Sequence, residues 1–148
     1  MPWKISIPHQ LWLGYVDDIF SMLKKNVVGA LLKHLNQQHP SIQFTLEEEK
    51  NQQLPFMDVR VHRGQNKLKT SIYRKPTHTG RYLNYSSNHP VSAKRAVAYA
   101  LINRMDHITL EGEQTAEEER IKEDLRANGL PETFFNETRR KSTRRISE

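Results

Sequence analysis

Tyr15-Val16-Asp17-Asp18 sets two neighbouring carboxylates between two apolar runs, Leu11-Trp12-Leu13-Gly14 before them and Ile19-Phe20-Ser21-Met22-Leu23 after. The pattern predicts a β-hairpin with Asp17-Asp18 at its turn. Asn-Gly or Asp-Gly would suit the backbone of a tight turn better, and two adjacent anions repel. A divalent cation turns that repulsion to use, because Mg²⁺ takes hard carboxylate oxygens. In two-metal phosphoryl transfer a pair of ions ~3.5–4 Å apart clamps the attacking and leaving oxygens. Asp17 and Asp18 are therefore candidate metal ligands. A plain hairpin whose turn happens to read Asp-Asp is the alternative, and four residues alone do not separate the two.

The elements that must position this turn follow from hydrophobic spacing. After the hairpin, Val27, Val28, Leu31, Leu32 and Leu35 recur at helical period, with Asn26 as expected N-cap and Pro40 as the stop. Ser41 to Leu46 alternates as a half-buried strand would. Leu54–Val61 and Leu68–Tyr73 predict a second hairpin around Arg63-Gly64-Gln65-Asn66. Pro76 and Gly80 then end strand character, and a boundary is placed at residue 75.

Beyond it the chain reads as helices. Ser92 is the expected cap of a helix with apolar face Val97, Ala100, Leu101, Met105 and Ile108. Thr115 and Glu118 have the spacing of a capping box for a second helix carrying Ile121 and Leu125. Asn128-Gly129 is its stop, and Pro131 the first residue of a shorter third helix with Phe134 and Phe135.

Charge is unevenly laid out along the 148 residues. From Leu54 to Ile108 ten Lys and Arg face only Asp58 and Asp106, whereas residues 111–137 hold nine acids and three bases. A basic block followed by an acidic one predicts one face turned to a polyanion and another turned away. Cysteine is absent, which excludes disulfides and thiolate metal sites. The most apolar stretch is interrupted by Asp17-Asp18, and the first residues lack a signal peptide's apolar core. The expectation is an intracellular protein of nucleus or cytoplasm, neither secreted nor in a membrane.

Two strings carry a family resemblance. The Tyr15–Asp18 turn resembles the third catalytic motif of reverse transcriptases. Leu54-Pro55-Phe56-Met57-Asp58-Val59, with Thr70-Ser71-Ile72-Tyr73-Arg74-Lys75-Pro76-Thr77-His78-Thr79-Gly80-Arg81-Tyr82-Leu83-Asn84-Tyr85-Ser86-Ser87-Asn88-His89-Pro90, resembles the Penelope-like retroelements of animals. That resemblance implies an RNA-directed DNA polymerase whose thumb includes a small helix-turn-helix segment. It implies Asp17 as principal Mg²⁺ ligand, Asp18 beside it, and Tyr15 near the primer terminus, these three forming the catalytic set. Arg74, Lys75, Arg81, Lys94 and Arg95 would meet phosphates of an RNA template–DNA primer duplex, with Tyr82 stacking among them.

The resulting expectation is an α+β chain. Residues 1–75 form part of an antiparallel palm sheet with one packing helix and the second hairpin. Residues 76–138 form a three-helix thumb, and residues 139–148 a basic disordered tail. The polymerase's first aspartate motif and its fingers have no counterpart in the string, so a truncated enzyme, inactive alone and binding Mg²⁺ weakly, is expected. A complementary polymerase portion would be its partner. The rival is a helix-turn-helix-like nucleic-acid-binding module without catalysis. Against base reading by its last helix stand Glu132 and Glu137, with Asn136 the one early base-reading side chain.

Overall fold

The computed structural model describes residues 10–110 and 112–146, with side chains as far as Lys141. Among the described residues it is an α+β fold with two small antiparallel sheets and four α-helices. It divides into two compact units, Met1–Glu49 and Lys50–Glu148.

In the first unit β1 (Leu11–Tyr15) pairs antiparallel with β2 (Asp18–Met22). Leu13 faces Phe20 and Tyr15 faces Asp18, so the turn consists of Val16 and Asp17 alone. Asp18, expected in the turn, is the first residue of β2. A single 3₁₀ turn (Lys25–Val27) leads into α1 (Val28–Asn36). Asn26 lies inside that turn and does not cap the helix, because a cap needs a non-helical backbone. Phe20, Leu31 and Leu35 are the buried apolar residues among the described residues of this unit.

The strand expected at Ser41–Leu46 is absent. The Asn36 side chain takes both ladder groups of Phe44: its Oδ1 accepts the Phe44 N–H at 2.6 Å and its Nδ2 donates to the Phe44 carbonyl at 3.1 Å. With those groups satisfied locally and Ile42 and Leu46 exposed, nothing pulls the segment into a sheet.

The second unit begins with an antiparallel meander of β3 (Gln53–Phe56), β4 (Val59–Arg63) and β5 (Leu68–Ile72). Leu54–Val61, read as one strand, folds back at Met57-Asp58 with Phe56 opposite Val59. Three helices follow: α2 (Val91–Ile108), α3 (Gln114–Ala127) and α4 (Glu132–Ile146). Their shared core is Ala98, Leu101, Ile102, Met105, Ile121, Leu125, Leu130, Phe134 and Phe135, with Ile72, Tyr82 and Val97 at its margin. The sheet therefore shares a unit with the helices, and the compact units part at Glu49–Lys50.

Several helix details depart from expectation. The core stripe of α2 runs through Ala98 and Ile102 in place of Ala100, since α3 and α4 pack on that side. Pro90, not Ser92, precedes α2, and its carbonyl accepts the N–H groups of Ala93 and Lys94. Thr115 and Glu118 make no capping box. Glu118 instead binds Arg139 Nε at 2.6 Å, and α3 starts at Gln114 with no side-chain cap. Pro131 lies just outside α4, which starts at Glu132. That helix has 15 residues, against 14 in α3 and 18 in α2, and continues past residue 139. Arg139 holds it, bridging Asp106 at 2.7 Å and Glu118. The stop after α3 is as expected: Gly129 has φ +72°, a left-handed closure that only glycine adopts freely.

Candidate functional site

The Tyr15–Asp18 turn is built on the shortest possible loop. Val16 occupies the left-handed region at φ +52° and is 91% exposed. A β-branched side chain is rare there, and such strain costs on the order of 1–3 kcal/mol. Tyr15, Asp17 and Asp18 are all exposed. Among the described residues no hydrogen bond or ion pair engages either carboxylate, and no group of three or more metal-ligating side chains forms. The pair offers oxygens of the hardness Mg²⁺ prefers, projecting from paired strands, but supplies only part of an octahedral shell.

The six residues expected to meet nucleic acid fall into three kinds of place. Lys75 and Arg81 are exposed. Arg74 is turned inward to a two-point ion pair with Glu117 of α3, one arm at 3.0 Å, both side chains nearly buried. The hydrogen bond to Glu117 is the main reason its pKa is raised, against the opposing effect of burial. Lys94 is buried; its ammonium donates to the Ser87 carbonyl at 2.7 Å and lies 5.2 Å from the Tyr85 ring centroid. Arg95 sits half exposed, 3.6 Å from Glu137 and over the Phe134 ring. Tyr82 is half-buried at the core margin, and burial lifts its phenol above the ordinary tyrosine range.

Residues 73–90 form a strap without regular structure along the helical core, and one side chain governs it. Asn128, 7% exposed, accepts the Tyr82 N–H at 2.9 Å on Oδ1. Its Nδ2 donates to the Gly80 carbonyl at 2.8 Å and to the Asp124 carbonyl at 2.7 Å. Its own carbonyl accepts the Tyr85 N–H at 3.0 Å. Gly80 fits because its φ is +65° and a Cβ would stand 2.9 Å from Asp124 Oδ1. Arg81 is thus displayed from a fixed backbone between two bonded neighbours. The sequence marked Asn128 only as a helix stop; nothing local indicated that its amide would clamp a segment more than forty residues earlier.

Residues 81–140 match the family model of the animal helix-turn-helix domain. A helix-turn-helix-type domain is present. No curated protein and no solved structure matches the chain. The matched segment takes in α2, α3, the Asn128–Pro131 turn and most of α4, together with Arg81, Tyr82, Lys94 and Arg95, and leaves Arg74 and Lys75 outside. Of the two acids that weighed against base reading, Glu137 stands 3.6 Å from Arg95 and Glu132 is exposed; Asp106 and Glu118 are engaged by Arg139, and Glu117 by Arg74 from outside the matched segment. The buried side of α4 holds Phe134 and Phe135, and its exposed positions include Thr133, Asn136 and Arg140.

Proposed function

We propose that this chain is a nucleic-acid-binding piece of a reverse transcriptase, with the Tyr15–Asp18 hairpin as part of a polymerase metal site and the helical domain as a thumb. The observation that carries the reading is the hairpin tip. Two carboxylates stand at a strained hairpin tip, Asp17 in the turn and Asp18 at the start of β2, exposed and without an internal partner among the described residues. Their type and placement suit a cation in contact with phosphates better than they suit the fold. Asp17 and Asp18 would hold Mg²⁺, which when bound supplies charge neutralisation for phosphoryl transfer. Tyr15, opposite Asp18 in the ladder, would border the primer terminus.

The duplex partner is an RNA template with a DNA primer. Lys75 and Arg81 would contact its backbone, a sequence-independent contact that weakens as salt rises. Arg74 and Lys94 would act from inside, fixing the strap that presents Arg81, rather than touching phosphate. Tyr82, with its N–H held by Asn128, would border the same path. The reading places the protein inside the cell.

Two carboxylates with no third acid grouped beside them among the described residues should hold catalytic ions weakly. The chain alone should therefore give no primer extension with Mg²⁺ and dNTPs; robust incorporation would overturn this part. Adding a polymerase portion that carries the missing aspartate motif should restore extension, and should fail to do so with Asp17→Asn.

A second reading, a helix-turn-helix binding module without catalysis, is favoured by the family match and the exposed Thr133, Asn136 and Arg140 of α4. Duplex binding with the same affinity across sequences supports the thumb. A strong preference for one DNA site, lost in Asn136→Ala, supports the module.

A further inference from the structure

Asn128-Gly129 is the one Asn-Gly pair in the sequence, and the pair has a reactivity of its own. The backbone nitrogen that follows an asparagine can attack the side-chain carbonyl carbon, and glycine, with no Cβ, leaves that nitrogen unhindered. A C–N bond forms to Cγ. The side-chain nitrogen departs as ammonia, taking the proton of the attacking N–H, and a five-membered imide remains. Water then opens the ring at either carbonyl, leaving aspartate, or isoaspartate with the backbone rerouted through the side chain.

The fold holds the two reacting groups apart. Asn128 has φ −93° and ψ 9°, which turns the Gly129 nitrogen to eclipse the Asn128 nitrogen, away from the side chain. The Gly129 N–H is also occupied, donating to the Arg126 carbonyl at 2.9 Å. The Asn128 amide is buried and tied to the Tyr82 N–H and to the Gly80 and Asp124 carbonyls. Cyclisation needs that amide to leave its partners and the backbone to turn. Gly80 and Tyr82 belong to the strap, so the strap must lift first. The segment that Asn128 clamps is therefore also the guard over its chemistry.

The product does not fit the same place. An aspartate at 128 would set carboxylate oxygen against the Gly80 and Asp124 carbonyls, acceptor against acceptor. One helical turn away, Asp124 Oδ2 already lies buried with no hydrogen-bond partner among the described residues. Isoaspartate would lengthen the backbone just before Gly129, whose left-handed closure lets the Leu130 N–H reach the Leu125 carbonyl at 3.0 Å.

We propose that Asn128 is a self-modification site gated by the strap: when residues 80–85 lift, Asn128 cyclises onto Gly129, and its conversion to aspartate or isoaspartate unlatches the strap irreversibly. Water is the co-reactant. Such a latch lies outside the nucleic-acid contacts proposed above and does not depend on them.

The test incubates the full chain at mildly alkaline pH and follows Asn128 by peptide-mapping mass spectrometry, as the mass gained when oxygen replaces NH. Conversion should be at least tenfold slower in the folded chain than in denaturing urea, because a segment held by four hydrogen bonds is open only a small fraction of the time. Gly80→Ala, whose Cβ would stand 2.9 Å from Asp124 Oδ1, should raise the folded rate severalfold. Gly129→Ala should all but stop the reaction in urea. The converted chain, and Asn128→Asp, should exchange the Tyr82 and Tyr85 amides faster than wild type. Where Gly80→Ala does not fold, wild type in a series of sub-denaturing urea concentrations replaces it, and conversion should rise together with exchange of the Tyr82 amide. Equal rates in folded and denatured chain would overturn the proposal. So would conversion that rises only with global unfolding read by circular dichroism, or a converted chain whose Tyr82 and Tyr85 amides exchange as in wild type.

Discussion

Two turns in this protein are made alike and used differently. Val16-Asp17 and Met57-Asp58 each close a hairpin with two residues. In each an apolar residue takes the left-handed conformation, at φ +52° and +55°, and an aspartate follows. At the second turn Arg104 reaches from α2 to the Asp58 carboxylate at 3.5 Å and donates to its carbonyl at 3.1 Å. At the first, Asp17 and Asp18 meet no cation among the described residues. The helical unit spends its charge on itself, with Arg74, Arg104 and Arg139 all engaged internally. The hairpin tip leaves Asp17 and Asp18 to solvent. A carboxylate with an internal partner belongs to the fold, and one without is available to a ligand.

The contrast can be strained or sharpened by substitution. The largest effect should come from Ile102→Ala. Removing a fully buried side chain from the core beneath the sheet should cost about 2–5 kcal/mol, read as a lower urea midpoint. Asn128→Ala should cost about 2 kcal/mol, since it strands the Gly80 carbonyl and the Tyr82 N–H. Faster hydrogen exchange at Tyr82 and Tyr85 would localise the loss to the strap. Arg104→Ala should make the two turns alike at a cost of about 1 kcal/mol. Its mark would be a shift in the Asp58 carboxyl signal, with none at Asp17.

Smaller effects concern the turn backbones. Val16→Gly and Met57→Gly each trade about 1–2 kcal/mol of left-handed strain for about 0.5–1 kcal/mol of added chain entropy. Each should stabilise by about 0.5 kcal/mol in thermal melts, and a loss at Val16 alone would show that the two are not equivalent. The smallest is Asp17→Asn. An exposed side chain without a partner should change stability by less than about 0.5 kcal/mol, yet Mn²⁺-induced relaxation of nearby protons should diminish. If Asp17→Asn instead destabilises the protein as Arg104→Ala does, the carboxylate belongs to the fold and the contrast collapses.

Much of this architecture was legible from periodicity. Alternation and helical spacing located the β1–β2 and β4–β5 hairpins and the four described helices, though not the Met57-Asp58 turn between β3 and β4, because burying apolar faces is a requirement that local sequence must meet. Ile121, Leu125, Phe134 and Phe135 proved to be core for that reason. Where the reading failed, side-chain amides and ion pairs were responsible. Asn36 bonded Phe44 out of a strand, and Glu118 left its capping box for Arg139.

What the sequence by itself determined is the carboxylate pair, the basic stretch and the helix-turn-helix spacing. Each is a pattern of neighbours, and neighbours need no fold to be seen. Only the tertiary structure decided which charges remain for a partner. Arg74, Arg95 and Arg139 find their acids 43, 42 and 33 residues away. Arg60 and Lys69, on the two strands of the β4–β5 ladder, meet no acid among the described residues. Composition counts charges, but a charge pairs with whatever the packed chain brings within a few ångströms, and that distance is not written in the order of residues.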